Sequence, residues 1–300
     1  MAKAVYVGVD SKARKMKKAY IGVGGKARKV KKMYIGVGGK ARLCYSAEAD
    51  KFGMAASLSK ARSLLAGTTV GGYALFGGGG YDSDARKGEA IMDAYNASLT
   101  RTTATPLPSN VYACAGGTVG GYAVFSGGSS MNSDSTLVET IGALEIVRAY
   151  DSSLTSSQAA PLSGPRAVHS AATIGNHLLF AGGYNSTTGK YLSTVESYDA
   201  SLTRSTAAEL SSAKTALASA TVGEYAMFAG GYKGNSDATY VATVDAYNTA
   251  LTKTTMPDLS VGRHGLASAV IGDYALFAGG ISKISSTIDQ YQDVVDVYSA

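Results

Sequence analysis

Along residues 61–300 one hydrophobic pattern returns five times, with a mean period of about 48 residues. Each copy begins with a run of small residues, such as Ser170-Ala171-Ala172-Thr173-Ile174. A glycine-led pair follows (Gly71-Gly72, Gly120-Gly121, Gly175-Asn176, Gly223-Glu224 or Gly272-Asp273), the composition of a two-residue hairpin turn with positive φ. Next comes an unbroken apolar run, as in Leu178-Leu179-Phe180, closed by an aromatic and paired glycines. Such a run lacks the alternation of a half-exposed strand, so it is predicted to be covered on both faces. A third strand reads apolar–acid–x–Tyr: Met92-Asp93-Ala94-Tyr95, Val195-Glu196-Ser197-Tyr198, Val244-Asp245-Ala246-Tyr247 and Val295-Asp296-Val297-Tyr298. The second copy places Arg148 where the others have the acid. A Leu-Thr pair and a polar segment suited to an outer edge complete each copy.

Four strands per copy, repeated in phase, predict an all-β fold: a five-bladed β-propeller over residues 46–300, small side chains lining the axis where strands converge. The fifth copy reaches Ala300 after its third strand. Residues 54–62 match Ala207–Lys214 and Met256–Arg263, and are expected to close the last blade as its outermost strand.

A shorter repeat occupies residues 1–45. Its period is 14, with Val5-Tyr6-Val7-Gly8-Val9, Ala19-Tyr20-Ile21-Gly22-Val23 and Met33-Tyr34-Ile35-Gly36-Val37 each followed by a turn and a Lys-Ala-Arg stretch. These read as β-hairpins, too small to be stable singly. Order is expected against each other, against other subunits or on a partner. The segment carries 13 Lys and Arg and one acid, about +12, whereas the whole chain is +6. A basic arm on a mildly acidic body points to an acidic partner. Two cysteines suggest no disulfide framework. No stretch reads as a signal peptide or a membrane span, so synthesis in the cytoplasm without membrane insertion is expected.

The long repeat resembles the kelch repeat: basic residue, small strand, apolar strand, double glycine, variable loop, acid–x–Tyr. The copy Leu162–Glu209 shows it most clearly. It departs in lacking the usual Trp, whose place is held by segments such as Thr203-Arg204-Ser205-Thr206. The arm is similar to the Tyr-Ile-Gly-Val-Gly-Gly-Lys-Ala-Arg repeats of phage and prophage structural proteins. That resemblance implies a virion location, an arm docked to other virion or tail structural proteins, and a propeller facing outward.

Kelch rings include oxidases and sugar isomerases, which would need a set of catalytic or metal-binding side chains. The chain has His169, His177 and His264 only, and no nucleophile elbow, Walker loop or metal-ligand motif. No catalytic residue, no metal and no cofactor are assigned. The loops after the double glycines are rich in Tyr, Ser, Asn and Asp, residues suited to adaptable contacts. Tyr81, Asp82, Tyr184, Asn185, Tyr232 and Lys233 are the candidate ligand-binding residues. Tyr6, Tyr20, Tyr34, Lys26, Arg28, Lys40 and Arg42 are the candidate docking residues of the arm. Basic hairpins with tyrosines can also hold nucleic acid through phosphates and stacking. The regular period favours a docking stem, in a homo-oligomer for which a trimer is plausible. The expected role is attachment: a host-surface glycan or protein as ligand, with a kelch-ring carbohydrate enzyme as the competing class. Metal analysis of the purified chain should find no stoichiometric copper or zinc; one transition metal per chain, lost on changing His169 or His264, would overturn this.

Overall fold

The computed structural model describes residues 55–80, 88–130, 142–234, 240–285 and 288–299, together with the backbone of six strands between positions 6 and 46. The chain divides into two compact units, Met1–Met54 and Ala55–Ala300, a later boundary than the change in composition at 45 suggests.

In the first unit the three repeats are three antiparallel hairpins. Tyr6–Val9 pairs with Lys12–Lys15, Tyr20–Val23 with Lys26–Lys29, and Lys32–Val37 with Lys40–Ser46. Tyr6 lies opposite Lys15, Tyr20 opposite Lys29 and Tyr34 opposite Leu43; Arg28 and Arg42 face Ile21 and Ile35 across their hairpins. Lys26 and Lys40 open the return strands, opposite Val23 and Val37.

In the second unit each long repeat is one antiparallel sheet, here called a blade. Blade one is Ala66–Val70, Tyr73–Gly77, Met92–Asn96 and Arg101–Thr103. Blade two is Ala115–Val119, Tyr122–Ser126, Val147–Tyr150 and Ser156–Gln158. Blade three is Ser170–Ile174, His177–Ala181, Val195–Tyr198 and Arg204–Ala207. Blade four is Ala218–Val222, Tyr225–Ala229, Val244–Tyr247 and Lys253–Met256. Blade five has three strands among the described residues: Ala267–Ile271, Tyr274–Ala278 and Val295–Ser299. The Leu-Thr mark is a turn. Asn96, Asp151, Asp199 and Asn248 each accept two backbone N–H groups through Oδ1, and the Leu adopts positive φ.

Three devices join a blade to the one before it. The Phe of the second strand packs backwards: Phe125 onto blade one, Phe180 onto blade two, Phe228 onto blade three and Phe277 onto blade four. Burial of such a side chain stabilises by roughly 1.5–3 kcal/mol. Inner-strand hydroxyls bond backwards to carbonyls, as Thr173 to Thr118, Thr221 to Thr173 and Ser268 to Ser219. The residue entering each inner strand donates its N–H to its counterpart one blade earlier, in the series Gly265 to Ala216, Val168, Ala113 and Leu64. Leu64, Ala113, Val168 and Ala216 hold positive φ to do so.

The double glycine is the point of closest approach. Gly128, Gly183 and Gly231 donate to the carbonyls of Arg166, Lys214 and Arg263 in the next repeat, at 2.9 Å each. A Cβ on Gly182 or Gly230 would stand 2.5 Å from that carbonyl oxygen, and both have positive φ. No other residue type fits.

The same basic residue then turns its side chain into its own blade. Arg166 pairs with Glu196, Lys214 with Asp245 at 3.2 Å, and Arg263 with Asp296 at 2.8 Å. Arg62 meets Asp93 at 2.9 Å in blade one. A second cation reaches three of these acids from the outer strand: Arg101, Arg204 and Lys253, at 3.6–3.8 Å. Blade two dispenses with both partners: Val111 stands at the basic position and Arg148 at the acidic one, so no charge is left buried alone.

Among the described residues, the segment expected to close the last blade, 54–62, does not do so. Its described part, 55–62, forms no strand and bonds to blade one: the Tyr95 hydroxyl donates to the Ala56 carbonyl, Ser59 to Asp93, and Arg101 to the Ser57 carbonyl. The reason lies in the repeat. Ala160, Ala208 and Pro257 accept the same tyrosine bond, and all belong to the crossing segment that follows an outer strand rather than to the strand itself.

The ring is open among the described residues. Inner strands of successive blades run side by side from one to five, with no comparable packing of Ala267–Ile271 on Ala66–Val70. The inner strand of blade five is exposed along its length.

The buried pairs generate a test. Lys214→Ala strands Asp245 beneath the sheet and should cost about 3–5 kcal/mol in urea unfolding. The double change Lys214→Val with Asp245→Arg, which copies blade two, should recover most of that loss.

Candidate functional site

The hairpin turns lie at one end of the blades, and the loops between second and third strands lie at the other. Each such loop is fixed at its start, because its first residue exchanges backbone bonds with the segment entering the blade: Tyr184 with Ala167, Tyr232 with Thr215, Ile281 with His264. The loop then returns through a tyrosine four residues before the third strand, Tyr191 in blade three and Tyr240 in blade four.

These residues form one continuous strip over blades three to five. Ring centroids are 5.0 Å apart for Tyr184 and Tyr191, 5.5 Å for Tyr191 and Tyr232, and 5.7 Å for Tyr232 and Tyr240. His264 lies 5.8 Å from Tyr232 and 4.7 Å from Tyr240. All five side chains are half-buried. At the blade-five end, the Tyr240 hydroxyl donates to Asp289 at 2.8 Å, Lys283 pairs with Asp289 at 3.1 Å, and the Lys283 ammonium lies 5.8 Å from the Tyr240 ring. Gly234, at φ +41°, lies against the Tyr191 ring, where any Cβ would strike it at 2.3 Å.

The electrostatics follow from this packing. Burial and the carboxylate of Asp289 push the Tyr240 phenol up to about 12. The bond from Tyr240, then that from Lys283, holds Asp289 below the usual carboxylate range. Burial lowers His264 below the ordinary histidine value against the opposing pull of Asp289. At neutral pH the Tyr240 phenol and the His264 imidazole are therefore neutral, and Asp289 is charged beside Lys283 at one end.

Of the residues expected from sequence, Tyr184 and Tyr232 stand in the strip. Asn185 is used locally, its Oδ1 accepting the N–H groups of Thr187 and Thr188. Lys233 follows Tyr232, half-buried. Tyr81 and Asp82 lie outside the described residues. Tyr191, Tyr240 and His264 were missed as site residues. The first two carried a signal, a tyrosine four positions before the acid–x–Tyr strand in copies three, four and five.

The other histidines are elsewhere. His169 is buried, with Nε2 2.8 Å from Ser126 Oγ and its ring edge-on to Phe180. His177 Nδ1 lies 3.1 Å from Ser197 Oγ. Among the described residues no group of three or more His, Cys, Asp or Glu side chains is placed to hold a metal ion. The Cys114 thiol is pushed up to about 11 by burial. No helix among the described residues is long and apolar enough to cross a membrane.

Antiparallel sheets joined in series through double glycines, four of them holding a base–acid pair within the blade, define a β-propeller of the kelch-repeat type. The comparisons agree. The Kelch motif family matches residues 165–202, within the third repeat. A solved structure titled "Structure of YjhT" is similar with a TM-score of 0.62 and 15% identity, covering 94% of this chain and 95% of that one, which shows the fold. Among curated proteins none matches this chain.

The buried histidine gives a pH test. Burial, then the nearby Arg166, depresses His169 to about 3 from 6.5. The unfolded chain takes up this proton at higher pH than the folded one, so stability is full above about pH 6.5 and falls as pH drops towards 3, by up to about 1.4 kcal/mol per unit. A His169→Gln variant should lose that share of the acid sensitivity, read as the difference between the two unfolding curves.

Proposed function

We propose that the chain is a non-enzymatic attachment protein whose propeller recognises a glycan on a host surface through the Tyr184–Tyr191–Tyr232–Tyr240–His264 strip, while the arm mounts it on a virion or tail-like particle. The aromatic strip carries the reading. Tyrosine offers a large, stiff, amphipathic contact at low entropic cost, and four such rings, followed by the His264 imidazole, run across three blades. Sugar faces stack on such rings, and the phenol, imidazole and Lys283–Asp289 groups offer hydrogen bonds to hydroxyls. A host-surface protein epitope is the alternative ligand for the same strip.

The arm reading rests on sequence. Thirteen basic residues and the Tyr-Ile-Gly-Val period suit docking through shared strands, with charge setting partner choice.

Screening the full-length chain on a glycan array, then measuring the best ligand by calorimetry, tests the proposal. Tyr232→Ala and Tyr240→Ala should each weaken binding about tenfold, or roughly 1.4 kcal/mol, with little change in melting temperature. Turnover of a sugar lost on His264→Ala would instead make the protein an enzyme, and binding indifferent to both tyrosines would remove the strip as the site.

A further inference from the structure

Where the inner strands begin, at the end of the blades that bears the tyrosine strip, five residues form a collar: Leu64, Ala113, Val168, Ala216 and Gly265. Successive members are joined by main-chain bonds of 2.9–3.1 Å. All five hold φ between 52° and 63°. Glycine adopts that backbone without strain. An exposed apolar side chain is ordinary, but a β-branched one held in the left-handed region is an outlier. Val168 is both.

Nothing in the interior asks for a valine at this point. Its side chain is 43% exposed, whereas that of the next residue, His169, is buried against Gly183. The main chain is held whatever the side chain. The Val168 N–H donates to the Ala113 carbonyl at 2.9 Å, and its own carbonyl accepts from the Ala216 N–H at 3.1 Å and from the Thr215 hydroxyl at 3.0 Å. Such over-determination lets a strained residue persist, and strain of this kind collects at ligand contacts. Alanine and glycine make the same main-chain bonds at Ala113, Ala216 and Gly265. The valine therefore adds strain and exposed apolar surface without a gain in folding. Val168 lies in blade three, bonded to blade two on one side and blade four on the other, so its exposure owes nothing to the ends of the series. Leu64, 52% exposed at the same φ, repeats the combination in blade one without the β-branch.

The collar adjoins the strip. Ala167, just before Val168, exchanges both main-chain bonds with Tyr184. Thr215, whose hydroxyl reaches the Val168 carbonyl, does the same with Tyr232. Two tyrosines of the strip are thus anchored one residue from the collar, on either side of Val168. The collar itself has no charged side chain and no side-chain hydrogen-bonding group. Its complement is a compact apolar group.

We infer that Val168 forms a subsite for a methyl-bearing substituent of the glycan held on the strip, either the acetyl of an acetamido sugar or the methyl of a deoxy sugar. The inference rests on the glycan reading of the strip and adds which sugars it selects: the rings hold the sugar, and the valine sorts the substituent.

The test is a glycan array holding matched pairs: N-acetylglucosamine oligomers against glucose oligomers, fucosides against galactosides, and rhamnosides against mannosides. The full-length chain should prefer the methyl-bearing member of one pair about fourfold, the transfer worth of one methylene-sized group. The first pair reports an acetyl group, and the other two report a deoxy sugar. Val168→Gly keeps every main-chain bond and relieves the strain, so it should abolish the preference without lowering the melting temperature. Val168→Thr keeps the branched shape and removes apolar surface, and should weaken the preference too. No preference within any pair, or a preference that survives Val168→Gly, overturns the inference; the strip reading stands in that case if Tyr232→Ala still weakens binding. A Val168→Gly chain that melts lower and keeps its preference makes the valine structural. An array on which the chain binds no glycan removes the strip reading and this inference together.

Discussion

The fold depends on a buried basic residue that, in blades three, four and five, serves two blades at once. Through its carbonyl, Arg166, Lys214 or Arg263 receives the N–H of the preceding blade's double glycine. Through its side chain it neutralises the acid in the middle of its own blade. Main chain and side chain thus pull in opposite directions around the ring, and the glycines are required because the carbonyl comes closer than any Cβ allows. Burial lowers the Lys214 ammonium and the Arg166 guanidinium from their ordinary values, and the facing carboxylates oppose that shift. A buried pair of this kind is costly when half of it is lost, which explains why blade two differs at both positions together.

The joints are directional. Phe, hydroxyl and N–H groups reach backwards, from each blade to the one before it. An open series of such blades therefore has two unlike ends. At the first, Phe76 remains half-buried, whereas its four counterparts are buried. At the last, the apolar face of blade five is exposed among the described residues.

The aromatic strip occupies the part of each repeat that the joints leave free. Loop starts are tied to the entering segments, which fixes Tyr184 and Tyr232. Beyond that point length and composition vary, and blades three to five fill the space with tyrosines and His264. A rigid frame thus carries a variable surface.

The sequence by itself determined the all-β class, the hairpin turns, the repeat and the strand order within each blade, because these follow from local periodicity and turn chemistry. It also marked Tyr184 and Tyr232, because they adjoin the double glycine. Only the tertiary structure decided which acids meet which bases, since Arg166 and Glu196 are thirty residues apart and are joined by the sheet rather than by spacing. It alone separated His169, sealed against Ser126, from His264, which joins the tyrosines; their similar positions in the repeat hide a difference made by neighbouring blades. Likewise residues 55–62 resemble other crossing segments in sequence, yet which blade they serve depends on the tyrosine and acid that receive them in space. Local pattern sets each blade, and the contacts between blades set everything that the pattern repeats without distinguishing.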